Sequence, residues 1–248
     1  STGFQPGSGF KIFTLAQWII DGNSVNERLD ATRQEWPTGA FRAECTGLVS
    51  EEWNPQNNEG NEYSRMTPTE IMVNSVNTGI ATMASQLDLC DIHDTASRMG
   101  AYPANGSEWE IFAPAVIGSG STVTPMGMAS AFATIANGGV ACAPIAIDRI
   151  VARDGTEVAP PGQDCDQALT PEVASVMQSV LEEVTQRNPL NNPRGAAPVI
   201  SKTGTTNNVE QTWVNGASPT VATSVWVGNI IGPNRNLQDR WNVRSSVF

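Results

Sequence analysis

The spacing of apolar positions changes along this chain, and each change predicts an element. From Ser8 to about Ile20, residues Phe10, Phe13, Leu15, Trp18 and Ile19 recur at helical spacing. Residues 21–65 are rich in Asn, Gly, Glu and Pro and predict mostly loop. Thr67-Pro68-Thr69-Glu70 then reads as a capping box with proline at the first helical position, and Met66 and Ile71 are placed as a hydrophobic staple. The helix it opens should run into a turn at Ser75-Val76-Asn77, with a second helix from about Thr78 to Leu89. Thr124-Pro125 caps a further helix, Met126 to about Ala136, stopped by Asn137-Gly138-Gly139.

The second half has a different rhythm. Ile145 to Val158 predicts a hairpin turning at Asp154-Gly155. Thr170-Pro171-Glu172 opens a long helix whose Val173, Met177, Val180, Leu181 and Val184 make one apolar face. Beyond a loop from Asn188 to Pro198, Val199–Thr205, Gln211–Gly216 and Val221–Val227 read as three strands. Helices first and an antiparallel sheet after them predict an α+β fold. A mostly helical lobe (14–140) would sit beside the hairpin, long helix and sheet strands (141–230), with a tail over 231–248.

At 248 residues the chain has room for a full core. A formal charge of -11 without any run of Lys or Arg argues against nucleic acid and against an electrostatic hold on anionic lipid. No apolar run approaches the roughly 18 residues of a membrane span. None of the four cysteines has C-x-x-C spacing, and the lone His93 stands apart from them, so neither a zinc site nor any other cofactor is expected. Cys142 and Cys165 flank the predicted hairpin, whose ends return close together; their pairing leaves Cys45 with Cys90. Four buried free thiols are the alternative. Disulfides would place the domain outside the cytoplasm.

Lysine usage brings in the chemistry. Twelve of the fourteen basic residues are arginine; the two lysines are Lys11 and Lys202. An arginine stays protonated, whereas a lysine amine can be pushed to neutral by its surroundings. Lys11 closes Ser8-Gly9-Phe10-Lys11, an S-x-x-K; Lys202 opens Lys202-Thr203-Gly204-Thr205; Ser75-Val76-Asn77, an S-x-N, lies between. Acyl transfer by serine needs a hydroxyl, a group to take its proton and donors for the oxyanion. Ser8 and Lys11 would share a helix face one turn apart, where the dipole favours an alkoxide and disfavours an ammonium. Ser75 would relay a proton towards a leaving nitrogen, Asn77 would hold a substrate amide, and Lys202 would meet a carboxylate. Thr203 and Thr205 add hydroxyls, Gly204 would leave room for an extended substrate, and the N–H groups of Ser8 and Thr205 would bind the oxyanion. Each motif alone has a plainer explanation, such as a capped helix with a solvated lysine or a Thr-rich edge strand guarded by one. Their conjunction, in this order, carries the signal.

The three motifs resemble the active site of the penicillin-binding proteins and serine β-lactamases. Gln5 to Thr14 is similar to the family's P-G-S-x-F-K-P-F-T stretch, and Trp53-Asn54-Pro55-Gln56-Asn57 to its lead-in to the S-x-N helix. Gly118-Ser119-Gly120, Val123-Thr124-Pro125 and Ala136-Asn137-Gly138-Gly139 resemble its G-x-G…V-T-P…A-N-G-G segment. Gln211–Gly216 and Ala222–Gly228 resemble the closing strands of the class A, bifunctional group, although Gln211 stands where aspartate is frequent and Asn215 where an apolar residue is usual.

The resemblance implies a D,D-transpeptidase acting on peptidoglycan stem peptides that end in D-Ala-D-Ala, with β-lactams as covalent mimics. It implies an extracytoplasmic site on a membrane-anchored parent. It also calls for two strands and a helix before the S-x-x-K and a closing helix after the last strand, so the chain is expected to be a transpeptidase domain incomplete at its N-terminus. A glycosyltransferase domain would belong to the parent protein. A D,D-carboxypeptidase and a β-lactam-binding sensor share the three motifs. A class A β-lactamase would place glutamate in an E-x-x-L-N context; at Leu190-Asn191 that place is taken by Arg187.

Overall fold

Caps and breakers in the chain decide where its helices begin and end. In the computed structural model, which describes residues 3–46, 51–60, 62–147, 149–159, 162–187, 197–230 and 237, a 3₁₀ turn over Gly7–Phe10 leads directly into α1, Lys11–Ile20. The helix expected from Ser8 is therefore two geometries joined at Lys11. Ile12, Phe13, Leu15, Ala16 and Trp18 are all fully buried, so α1 runs through the core rather than over it. The stretch that follows is largely irregular, with β1 (Leu29–Asp30) pairing antiparallel to β2 (Arg65–Met66).

The capping box ahead of α2 (Pro68–Asn74) closes in both directions. Thr67 Oγ1 accepts from the Glu70 N–H at 3.2 Å, and Glu70 Oε2 accepts from the Thr67 N–H at 2.8 Å. The chain turns at Ser75, in the left-handed region at φ 54°, and α3 (Asn77–Ala84) starts two residues later. The single helix expected over 78–89 is in fact two: α3 stops at Ala84, and α4 (Leu89–Arg98) starts afresh. Asp88 is the reason. Its carboxylate accepts from the Cys90 N–H at 2.8 Å as an N-cap and also from Arg42 Nε at 3.3 Å, which fixes a new helix start. Thr124 caps α5 (Pro125–Ala136) as expected, accepting from the Gly127 N–H at 3.0 Å.

A nested hairpin follows. β3 (Val140–Cys142) pairs with β6 (Cys165–Gln167), enclosing β4 (Ile150–Val151) and β5 (Glu157–Val158), whose turn carries Gly155 at φ 85°. The expected hairpin is present with a shorter paired part. Cys142 lies opposite Cys165 in register and is bonded to it, and Cys45 is bonded to Cys90. Next, α6 (Pro171–Arg187) buries Val173, Met177, Val180, Leu181 and Val184, the predicted face.

The final strands, β7 (Ile200–Thr205), β8 (Thr212–Ala217) and β9 (Ala222–Val227), form an antiparallel sheet in that order. Every residue of the central β8 is buried; those of β9 are half-buried. The architecture is the α+β expected. The predicted tail, Leu237 excepted, and residues 188–196 of the predicted loop lie outside the described residues. Among those described, no helix is long and apolar enough to cross a membrane.

Two aromatic contacts join this sheet to the segment ahead of Ser8. Trp213 Nε1 donates to the Gln5 carbonyl at 2.9 Å, and the Phe4 ring stacks on Trp226 with centroids 3.6 Å apart. The disulfide pairing has a direct check. Free-thiol labelling of the unreduced, denatured chain should find no cysteine; labelling of any of the four would refute a pair. Breaking Cys142–Cys165 by substitution is expected to cost about 3 kcal/mol in the chain-entropy model, measured by urea unfolding.

Candidate active site

Ser8 is half-exposed on the 3₁₀ turn, and that turn is gripped backbone to backbone. A Cβ placed on Gly204 of β7 would lie 2.3 Å from the Pro6 carbonyl oxygen and 3.1 Å from the Gly9 nitrogen. A Cβ on Gly118, at φ 87°, would lie 2.1 Å from the Gly7 carbonyl oxygen. Neither position tolerates a side chain without displacing main chain. The space beside Gly204, expected to admit an extended substrate, is thus taken by the turn that carries the serine. Gly118 was visible in the sequence only as part of a glycine-rich likeness, with no role attached.

Lys11, the first residue of α1, is completely buried. Its Nζ donates to the Ser75 carbonyl at 2.6 Å and to Asn77 Oδ1 at 2.6 Å, and lies 3.3 Å from Ser75 Oγ. Lys202, on β7 and 1% exposed, donates to the same Ser75 Oγ at 2.8 Å and to the Thr203 carbonyl at 3.2 Å. One hydroxyl therefore stands between two lysine amines. The left-handed backbone of Ser75 turns both its carbonyl and its hydroxyl towards Lys11, at a cost of roughly 1–2 kcal/mol for a residue with a Cβ.

Burial pushes the Lys11 amine well below its ordinary value of 10.5, and the positive charge of Lys202 pushes it the same way. A neutral amine has two hydrogens. Here two short bonds to carbonyl oxygens take them, which leaves the lone pair for a hydroxyl proton. None of the hydrogen bonds of Lys11 goes to Ser8. The base is held beside the serine turn by other partners, with the Ser75 hydroxyl 3.3 Å away.

Asn77 has protein partners that the sequence did not announce. Its Oδ1 faces Lys11, and its Nδ2 donates to the Gln56 carbonyl at 2.6 Å, so both ends of the amide are engaged within the protein. Gln56 had no assigned part in the sequence reading. Thr203 and Thr205 are half-exposed on β7, opposite Val214 and Thr212. Asn215, an unusual polar residue at its place, is buried: it accepts from Ser224 Oγ at 2.6 Å and donates to the Lys202 carbonyl at 3.4 Å, linking all three strands behind that lysine. Gln211 accepts from Trp226 Nε1 at 3.2 Å. Leu190 and Asn191 lie outside the described residues. The structure thus brings Ser8, Lys11, Ser75, Asn77, Lys202 and Gly204 together, and the four cysteines lie in the two disulfides.

Acyl transfer through a serine is the chemistry these groups support: a hydroxyl on a pinned turn, an amine driven towards neutrality, a second amine and a hydroxyl shared by both. Residues 1–239 match the family described as the penicillin-binding protein transpeptidase domain, and the chain belongs to it. Among curated relatives, penicillin-binding protein 1A of Neisseria cinerea is 28% identical over 234 residues, covering 90% of this chain and 28% of the relative. Penicillin-binding protein 1A of Aquifex aeolicus is 25% identical over 228 residues, covering 90% and 29%. The chain spans less than a third of the length of these relatives, whose type agrees with the class A likeness read from the strands. Among solved structures, PonA1 of Mycobacterium tuberculosis in complex with penicillin V superposes with a TM-score of 0.77 at 23% identity, covering 92% of this chain and 61% of that one. The imipenem acyl-enzyme of penicillin-binding protein A from the same organism gives 0.76 at 20% identity, covering 100% and 60%. These neighbours share the fold.

Lysine burial makes stability depend on pH. Between the depressed value of native Lys11 and the ordinary lysine value, the unfolded chain binds a proton that the native chain does not, so stability should fall as pH falls through that window. Lys11→Met should remove this part of the slope in urea titrations run at several pH values; an unchanged slope would show that Lys11 is not held neutral. Gly204→Ala should cost about 1–3 kcal/mol by the overlap it forces on the Pro6 carbonyl.

Proposed function

We propose that this chain is a D,D-transpeptidase domain that cross-links peptidoglycan stem peptides through an acyl-enzyme on Ser8. Ser8 Oγ attacks the carbonyl between the two terminal D-alanines, and its proton passes to the neutral Lys11 amine. Ser75, bonded to both lysines, carries a proton on to the nitrogen of the departing D-alanine. The amine of a second stem peptide then takes the acyl group and frees Ser8. Lys202 meets the terminal carboxylate, the N–H groups of Ser8 and Thr205 receive the oxyanion, and Thr203 and Thr205 line the path of the substrate. A β-lactam enters the first half-reaction and stays on the serine. The hydroxyl of Ser75 set between a buried, depressed amine and a second lysine is the observation that carries this reading.

The acyl-enzyme named in the description of a fold neighbour supports it. Two disulfides support a site on the extracytoplasmic face of the membrane. The anchor and a glycosyltransferase domain would belong to a longer parent. The half-buried side chains of β9, Val225 and Val227 among them, fit a sheet that receives cover from elsewhere in that parent. A D,D-carboxypeptidase would pass the acyl group to water, and a sensor would acylate without turning over peptide. Release of D-alanine with and without an added amine acceptor separates the three.

Peptide mapping of a labelled penicillin adduct should place the label on the peptide that holds Ser8; finding it on Ser75 or Ser201 would sink the assignment. Lys11→Arg, which cannot become neutral, should slow acylation by at least about 10²-fold. Lys202→Arg keeps the charge and should lose less. Equal losses for the two would contradict their separate roles.

A further inference from the structure

Two of the bonds of Asn57 lead towards the base. Asn57 is buried, 8% exposed, in the irregular stretch ahead of β2. Its Oδ1 accepts from the Thr78 N–H at 3.2 Å, and its Nδ2 donates to Thr78 Oγ1 at 3.0 Å. Thr78 Oγ1 donates in turn to the Ala31 carbonyl at 2.6 Å. The N-cap position of α3 is Val76, whose side chain has no oxygen to offer, so Asn57 satisfies the first turn of that helix from across the chain.

The residue before it, Gln56, supplies the carbonyl that accepts from Asn77 Nδ2 at 2.6 Å. An amide that must donate to a carbonyl on one side turns its oxygen to the other, and there Lys11 Nζ donates at 2.6 Å. We propose that Asn57 is a positioning residue for acylation: by pinning the Gln56 peptide to the start of α3, it fixes the orientation of the Asn77 amide and through it the direction of the Lys11 amine. The inference rests on the reading of Ser8 and Lys11 as nucleophile and base. Without Asn57, the Gln56 carbonyl is no longer held, and Asn77 can turn over to set its N–H donors against the N–H donors of Lys11. The amine then loses one of the two acceptors that direct its lone pair. Small displacements of a catalytic group cost up to about 10²-fold in rate.

The test is penicillin acylation of the whole chain, resolved into the dissociation constant of the pre-covalent complex and the rate constant for acylation, per folded molecule. Asn57→Ala is expected to lower the rate constant about 10- to 100-fold while the dissociation constant changes little, because Asn57 is buried with its side chain turned to Thr78. Thr82→Ala is the control. Thr82 Oγ1 donates to the Asp30 carbonyl at 2.6 Å and so ties the same helix to the same irregular stretch one turn further on, without touching Gln56 or Asn57. It should lower Tm and leave the acylation rate constant near that of the parent. Asn57→Asp keeps an acceptor for the Thr78 N–H and should recover most of the rate; if the alanine variant does not fold, Asn57→Ser, too short to span the gap, takes its place against Asn57→Asp. Equal slowing in Thr82→Ala, an effect confined to the dissociation constant, or an unchanged rate in Asn57→Ala would each overturn the proposal. Failure of the unsubstituted chain to acylate at Ser8 would instead overturn the assignment of nucleophile and base.

Discussion

Two lysine amines buried against one serine hydroxyl are the constraint around which this molecule is arranged. Taking an ammonium out of water is costly unless it is paired, and the partners of Lys11 are two carbonyl oxygens and a hydroxyl. Burial lowers the pKa of Lys11 and so favours its neutral form, and its two short bonds go to carbonyl oxygens that a neutral amine satisfies. Such an arrangement needs every partner in place at once. The partners come from α1, from the α2–α3 turn 64 residues on, and from β7 another 127 residues beyond it. Forming the site and forming the tertiary structure are therefore one event.

Rigidity around the serine comes from main chain more than from side chains. Gly204 and Gly118 let a strand and a second turn press on the carbonyls of Pro6 and Gly7, while Trp213 holds Gln5 from beneath. A turn fixed by two backbone contacts and one indole hydrogen bond presents its hydroxyl with little side-chain entropy spent on the task. The sheet that contributes one grip also contributes Lys202, so the distance from nucleophile to second amine is set by a direct contact rather than by a long lever. Asn215, tied to Ser224 and to the Lys202 carbonyl, braces the strands at the same point.

Much of this was legible in the chain because it is local. The capping box at Thr67, the Thr124 cap, the apolar face of α6 and the three closing strands each follow from residues within a few positions of one another. Lys11, Ser75, Asn77 and Lys202 were legible as chemistry because titratable amines are so scarce here. What escaped depends on contacts across the chain. The break between α3 and α4 comes from Asp88, whose carboxylate also binds Arg42; periodicity alone runs straight through it. Nothing in the sequence announces that the Gln56 carbonyl will take a hydrogen of Asn77 Nδ2. Gly204 read as an open space for the same reason: the Pro6 carbonyl that fills it is nearly two hundred residues away.

The confinement of lysine to the site leaves the outer surface with a peculiar reactivity. Both side-chain primary amines are sealed, Lys11 wholly and Lys202 to within 1%, and the remaining side-chain cations are guanidinium groups. Acylating and cross-linking reagents directed at amines therefore find no lysine on the outside of the folded domain. Proteases that cut after lysine meet no accessible cleavage point either. Modification of Lys11 or Lys202 by such a reagent would report transient opening of the protein, and its rate would measure how often the catalytic centre comes apart.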